Sequence, residues 1–333
     1  MRYRVVGVLL AVGVSLSISH AALAQSSGEL RAPRGFSSAP PGGPGRSSDL
    51  RAPQGFDTTG SADGDLRAPP TVSASPSTTP VRPEIVAQLQ RACGSSAPTT
   101  PAVFAPPATL LRNDRRAPTT NRPTVDMRRR ELQSLESRIE STNAADPQRA
   151  DLYLRAATMW LDFATEARAA NLADNARAAE RRAIASLNAL TTTYSSYAHG
   201  DEALFLLGLA LEDADDMADA RRAFLQVIQR YPQSVYVPYV YANFGEYFLA
   251  HGDGPNAYQF FDRVRLFSSS TPLWAFATLR MASISSTQAE WQRARRFFAA
   301  VVQWARTAPD AATLPGLETA ATAGFCDAMA HGR

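Results

Sequence analysis

A 37-residue internal period dominates the second half of the chain. Shifted by that length against itself, this half places Gly208, Gly245 and Ala282 in one column and Ala220, Ala257 and Ala294 in the next. Phe224, Phe261 and Phe298 form a third column, and Val227, Val264 and Val301 a fourth. Tyr194 and Tyr231 stand the same distance apart. Small residues align with small ones, and aromatic with aromatic, in three successive copies. A fixed period of roughly 20–50 residues marks a stacked repeat, whose units bury their apolar faces only against their neighbours.

The residue types within a copy fit a pair of helices. The small residue of the first helix (Gly208, Gly245, Ala282) lets a neighbouring helix approach closely, and the Ala of the second column does the same for the second helix. The Phe four residues after that Ala lies on the same helical face and fills the space between helices. Asp216 and Asp253 precede the second helices, where an acidic group suits a helix N-terminus. Pro255 falls at a helix start, where its missing N–H costs little, and Pro232 helps to end the helix before it. Upstream, Met127, Leu132, Leu135 and Ile139 form a helical apolar stripe that breaks at Asn143–Pro147. A degenerate copy follows from Ala150 to Tyr194. Leu152, Leu154, Ala157 and Trp160 fall in its first helix and Ala183, Leu187 and Leu190 in its second, with an extra turn or loop around Ala169–Asn175. A last helix from Leu314 to Ala330 caps the final copy, as solenoid ends require. No alternating β pattern of useful length occurs.

This pattern resembles the tetratricopeptide repeat family over roughly residues 148–307. The best copy carries Leu204, Leu207, Gly208, Leu211, Ala220, Phe224 and Pro232. The second carries Tyr241, Phe244, Gly245, Phe248, Ala257 and Phe261, and the third is weaker, with Ala282 and Ser285 at the equivalent places. The period exceeds the family's usual length of about 34. The added residues fall around Tyr231–Ser234, which is similar to the repeats of Tol–Pal-associated periplasmic coordinators and outer-membrane assembly lipoproteins. The resemblance implies an all-α, tetratricopeptide-like helix-pair solenoid over residues 125–333. It further implies a concave groove lined by the first helices, with Glu202, Phe205, Leu209 and Glu212 facing out from one. The next presents Tyr239, Ala242, Glu246 and Leu249, and the third Phe276, Leu279, Ser283 and Ser286. An aromatic and apolar wall bearing carboxylates suits a peptide with apolar anchors and a positive charge. The open alternative is that several of these residues are core, or lie under the chain's own termini.

The first half has the opposite character. Arg2 and Arg4, an apolar run from Val5 to about Ile18 and Ala22-Leu23-Ala24 predict a cleaved signal peptide over 1–24. Residues 25–124 are rich in Pro, Gly, Ser and Thr, without apolar period, and predict a long disordered tail. Within it Glu29–Phe36 is echoed by Asp49–Phe56 and, truncated, by Asp65–Pro69, each with the core Leu-Arg-Ala-Pro. A weak fourth copy is Asp114–Pro118. These copies read either as short linear binding motifs or as tandem drift. Pro83–Arg91 carries Ile85, Val86 and Leu89 on one helical face, which reads as a docking helix or a transient turn.

Charge excludes one class of partner. Residues 26–126 hold 11 Arg against 8 acidic residues, and residues 127–333 hold 21 Arg against 23. The folded half is slightly acidic, so nucleic-acid binding, which needs clustered positive charge, is not expected. No run after the N-terminal one is long enough to cross a membrane. Cys93 and Cys326 either pair in an oxidising compartment or remain single thiols. Catalysis has no support: His199, His251 and His331 sit near helix ends, and no nucleophile motif, phosphate loop or metal spacing occurs. Asp213, Asp215 and Asp216 lack calcium-loop spacing and read as a solvated turn. The expectation is a non-enzymatic, cofactor-free periplasmic scaffold or adaptor of a Gram-negative envelope, with protein or peptide partners. The alternative is a periplasmic chaperone or assembly factor for outer-membrane or motility components.

Overall fold

The computed structural model describes residues 80–95, 104–113, 125–267 and 270–332. The signal-like residues 1–24 and the Leu-Arg-Ala-Pro copies lie outside these. Among the described residues there is no strand. The helices are α1 (Pro83–Ser95), α2 (Ala108–Leu111), α3 (Val125–Ser141), α4 (Gln148–Ala169), α5 (Ala173–Thr193), α6 (Gly200–Asp213) and α7 (Met217–Arg230). They continue as α8 (Val237–Ala250), α9 (Gly254–Phe267), α10 (Pro272–Thr287), α11 (Trp291–Thr307) and α12 (Leu317–His331), with a 3-10 turn at Pro309–Thr313. The pairs α4/α5, α6/α7, α8/α9 and α10/α11 stack in chain order, each second helix also packing on the next first helix.

The four aligned columns are the core. Ala220, Ala257 and Ala294, and Val227, Val264 and Val301, are buried almost completely, as are Phe224, Phe261 and Phe298. The glycine column explains the tight pairing. A Cβ on Gly245 would stand 2.6 Å from Cε1 of Phe261, and one on Gly208 would collide with the Phe224 ring. In the α6/α7 and α8/α9 pairs the ring of the second helix therefore rests on the bare backbone of the first. At α12, Gly324 meets the Phe298 ring in the same way, so the small residues of this helix are what let it seat against α11. Leu317, Ala320, Ala321, Phe325 and Ala328 complete the contact.

A second repeated element was not legible as a residue column. Asp215, Gly252 and Ala289 stand 37 apart and all have positive φ, at 64°, 76° and 58°, and Asn171 adopts 59° at the matching turn between α4 and α5. Each left-handed residue ends a first helix and bends the chain into the second. The pattern of bonds is shared: Asp215 N–H donates to Glu212 O and Asp216 N–H to Leu211 O, as Ala289 does to Ser286 O and Glu290 to Ser285 O. This is the helix-ending motif that satisfies orphan carbonyls. Asp216 then accepts from the Asp219 N–H at 3.2 Å, and Asp253 from the Asn256 N–H at 3.1 Å, so the acidic residues expected at these places are N-caps. The acidic turn thus has structural work: Asp215 takes the left-handed position and Asp216 the cap.

Between repeats, the residues around Tyr231–Ser234 tie neighbours together. The Tyr231 ring lies over Gly200, and the Ser234 hydroxyl donates to Asp201 at 2.6 Å. In the degenerate copy, α4 and α5 run to 22 and 21 residues against 14 in α6 to α9. The additional residues lengthen both helices, so of the extra turn or loop expected around Ala169–Asn175 the structure has the helical turn, with a tight connection at Ala170–Leu172. α3 packs on α4 through buried Leu132, Leu135 and Ile139, whereas Met127 is exposed.

Two substitutions separate these constraints. Ala289→Gly relieves a left-handed Ala, and the expected result is a gain of about 0.5–1 kcal/mol, read as a higher denaturant midpoint. Gly245→Ala improves helix propensity by about 1 kcal/mol but forces its Cβ into Phe261. Overpacking of roughly 1–3 kcal/mol should dominate, so the same measurement should show a lower midpoint.

Candidate partner-binding site

The first helices α6, α8 and α10 form one wall, and a segment of the chain itself lies across it. Residues 104–113, within the stretch expected to be disordered, hold the short helix α2 against α8 and α10. Phe104 is 7 % exposed and belongs to the main apolar cluster, with Leu110 and Leu111 packed on it. Asn243 in α8 donates from Nδ2 to the Leu111 carbonyl at 3.3 Å and to Tyr239 O at 2.9 Å. Arg112 makes a two-point ion pair with Asp213 at the end of α6, with Nη1 3.0 Å from Oδ2. A cation there also meets the negative end of the helix dipole. Asp213 is shared with Arg168, which in turn holds the buried Glu180 at 2.6 Å. Beside this segment a cavity of about 480 Å³ remains, bounded by Pro107, Leu110, Tyr239, Pro272, Leu273 and Leu314, among others.

This arrangement changes the reading of the expected groove residues. Phe205 and Phe276 are fully buried, and Leu209 and Leu279 nearly so. None of these four presents an open surface. Phe205 stacks on Tyr236 with ring centroids 4.9 Å apart and meets Phe224 at 5.9 Å, so it is a joint between repeats. Glu246 is held bidentately by Arg280 of α10, at 2.8 Å for both contacts, and is not a free charge. The Glu212 carboxyl is pushed up from its ordinary value mainly by burial, against the opposing pull of Arg112. Glu202, Tyr239 and Leu249 remain partly exposed, and Tyr239 lines the cavity. Of the other residues of the implied wall, Ala242 is buried, Ser286 partly buried and Ser283 exposed.

A second tail segment docks elsewhere. α1 packs on α11 and α12 through Ile85 and Leu89, 8 % and 1 % exposed. Gln303 accepts from the Arg82 N–H, and Gln88 from Arg306. Cys93 and Cys326 form a disulfide with Cα atoms 5.2 Å apart, bridging 233 residues of chain. The apolar face at 85 and 89 is therefore a docking face. The expectation of disorder does not hold for 80–95 and 104–113.

The remaining candidates for chemistry are occupied by structure. His251 Nδ1 lies 2.7 Å from Tyr247 O, and the His331 ring stacks on Trp291 at 5.1 Å. Among the described residues no group of His, Cys, Asp or Glu is placed to hold a metal ion, and no helix is long and apolar enough to cross a membrane. Residues 202–234, which span α6 and α7 and reach the turn before α8, match the family model of the tetratricopeptide repeat. A comparison with curated proteins finds no significant match. The repeat match and the helix-pair architecture point to a scaffold for protein–protein interaction, a generally non-catalytic class.

The cross-link closes a long loop, worth on the order of 2–5 kcal/mol by the usual range for a native disulfide. Cys326→Ser should lower the melting temperature and make the chain before α3 the first site of limited proteolysis. An unchanged melting temperature and digest would show that α1 is held by its apolar face and its hydrogen bonds to α11 without the bridge.

Proposed function

We propose that the protein is an exported, periplasmic scaffold or adaptor that holds a peptide segment of a partner against the wall of α6, α8 and α10. One observation carries this reading: the wall already accepts a short helical segment preceded by two prolines through apolar contacts, a carbonyl-directed amide and a charged pair. These are the elements of peptide recognition in a helical groove. Export is supported by the basic, apolar and Ala-x-Ala order of residues 1–24 and by the Cys93–Cys326 bridge, since such bonds persist in oxidising compartments. The additional residues at Tyr231–Ser234 favour a role among envelope coordinators, where a rigid joint between repeats fixes the spacing of the wall.

Site-specific photo-cross-linking of the full chain in cells tests the reading. A photoreactive residue at Leu249, partly buried on α8, should give one discrete protein adduct. The same residue at Gln226, exposed on α7, should not. Equal adducts from both positions, or none from Leu249, would refute the wall as the partner surface.

A further inference from the structure

We infer that a leucine followed by arginine is the recognition element of this wall. Leu111-Arg112 holds that place in the structure, and the upstream copies Leu50-Arg51 and Leu66-Arg67 compete for it. This rests on the reading of the wall as a peptide surface and names what it recognises. The first observation is geometric. Leu111 gives its carbonyl to Asn243 and its side chain to the apolar cluster, while the next residue, Arg112, spans to Asp213. Two adjacent residues thus engage α8 and the end of α6 together. The second is compositional. Residues 25–124 contain six leucines, and four of them directly precede an arginine. In a tail so poor in apolar residues, that pairing matches the one dipeptide whose docking is defined.

The occupant is suited to exchange. A helix of four residues cannot sustain itself in water, so α2 takes its form from the wall. Leu110, Leu111 and Arg112 are only partly buried, and a cavity of about 480 Å³ adjoins them. Ten residues separate Cys93 from Phe104, and eleven separate Asn113 from the start of α3. Tethers of this length set an effective concentration on the order of millimolar. A free peptide must outcompete that supply, so the unaltered chain should bind it weakly.

The test titrates a labelled peptide of residues 48–57 into the full chain and into its Leu111→Ser/Arg112→Ala variant. Circular dichroism first establishes that the helical content of the variant is retained. Binding to the vacated variant should be at least tenfold tighter than to the unaltered chain. The same peptide with Arg51→Ala should lose at least tenfold on the variant. Adding Asp213→Asn to the variant should weaken the unmodified peptide in the same direction. Equal binding to both chains, no binding to either, or indifference to Arg51→Ala would overturn the inference. An adduct at Leu249 alongside any of those results would leave the proposed function standing and remove only the Leu-Arg rule. Loss of both would remove the two readings together.

Discussion

The seating of a phenylalanine ring on bare helix backbone sets the geometry on which everything else in the fold depends. Phe224 rests on Gly208 and Phe261 on Gly245, with no room for a Cβ between them. That contact fixes how close the two helices of a pair come, and buries rings whose transfer from water is worth about 2–3 kcal/mol each. Phe298 extends the rule past the last pair, because it packs on Gly324 of α12. The capping helix is therefore recruited by the same interaction that builds the repeats.

The turns convert that local pairing into a regular array. A left-handed residue at 215, 252 and 289 ends each first helix at the same point, and the N-cap two of these copies supply starts the second at the same point. The helix length of 14 residues is thereby shared by α6 to α9. First helices α6, α8 and α10 fall into one wall because the turn that ends each of them has the same left-handed geometry. The array is a sum of nearest-neighbour interfaces, and the end interfaces need cover.

The tail supplies that cover at one end and fills the wall in between. α1 lies over α11 and α12, held by Ile85, Leu89 and the Cys93–Cys326 bridge. Residues 104–113 cross the wall, and Arg112 neutralises Asp213 where α6 ends. A chain that looks divided into an arm and a domain is in fact joined by these two contacts. The wall is consequently covered in part by the chain's own segment.

Much of this was written in the sequence, and the reason is periodicity. A spacing of 37 with fixed small and aromatic columns determines helix pairs, their order and their buried faces, because each column touches only its nearest neighbours. The N-caps at Asp216 and Asp253 and the apolar face of Pro83–Arg91 were legible for the same local reason. The left-handed turn column was hidden, since Asp215, Gly252 and Ala289 share a backbone shape but no side-chain chemistry. The wall was only half legible. Glu202, Tyr239 and Leu249 stayed partly exposed, whereas Phe205, Leu209, Phe276 and Leu279 became core. Their fate depends on contacts between repeats and on the cluster shared with the tail, which no local pattern encodes. Whether Cys93 met Cys326, and whether Leu111-Arg112 reached Asn243 and Asp213, was likewise decided only in three dimensions. These partners lie about a hundred residues or more apart, and the tail between its contacts has no period to reveal where it returns.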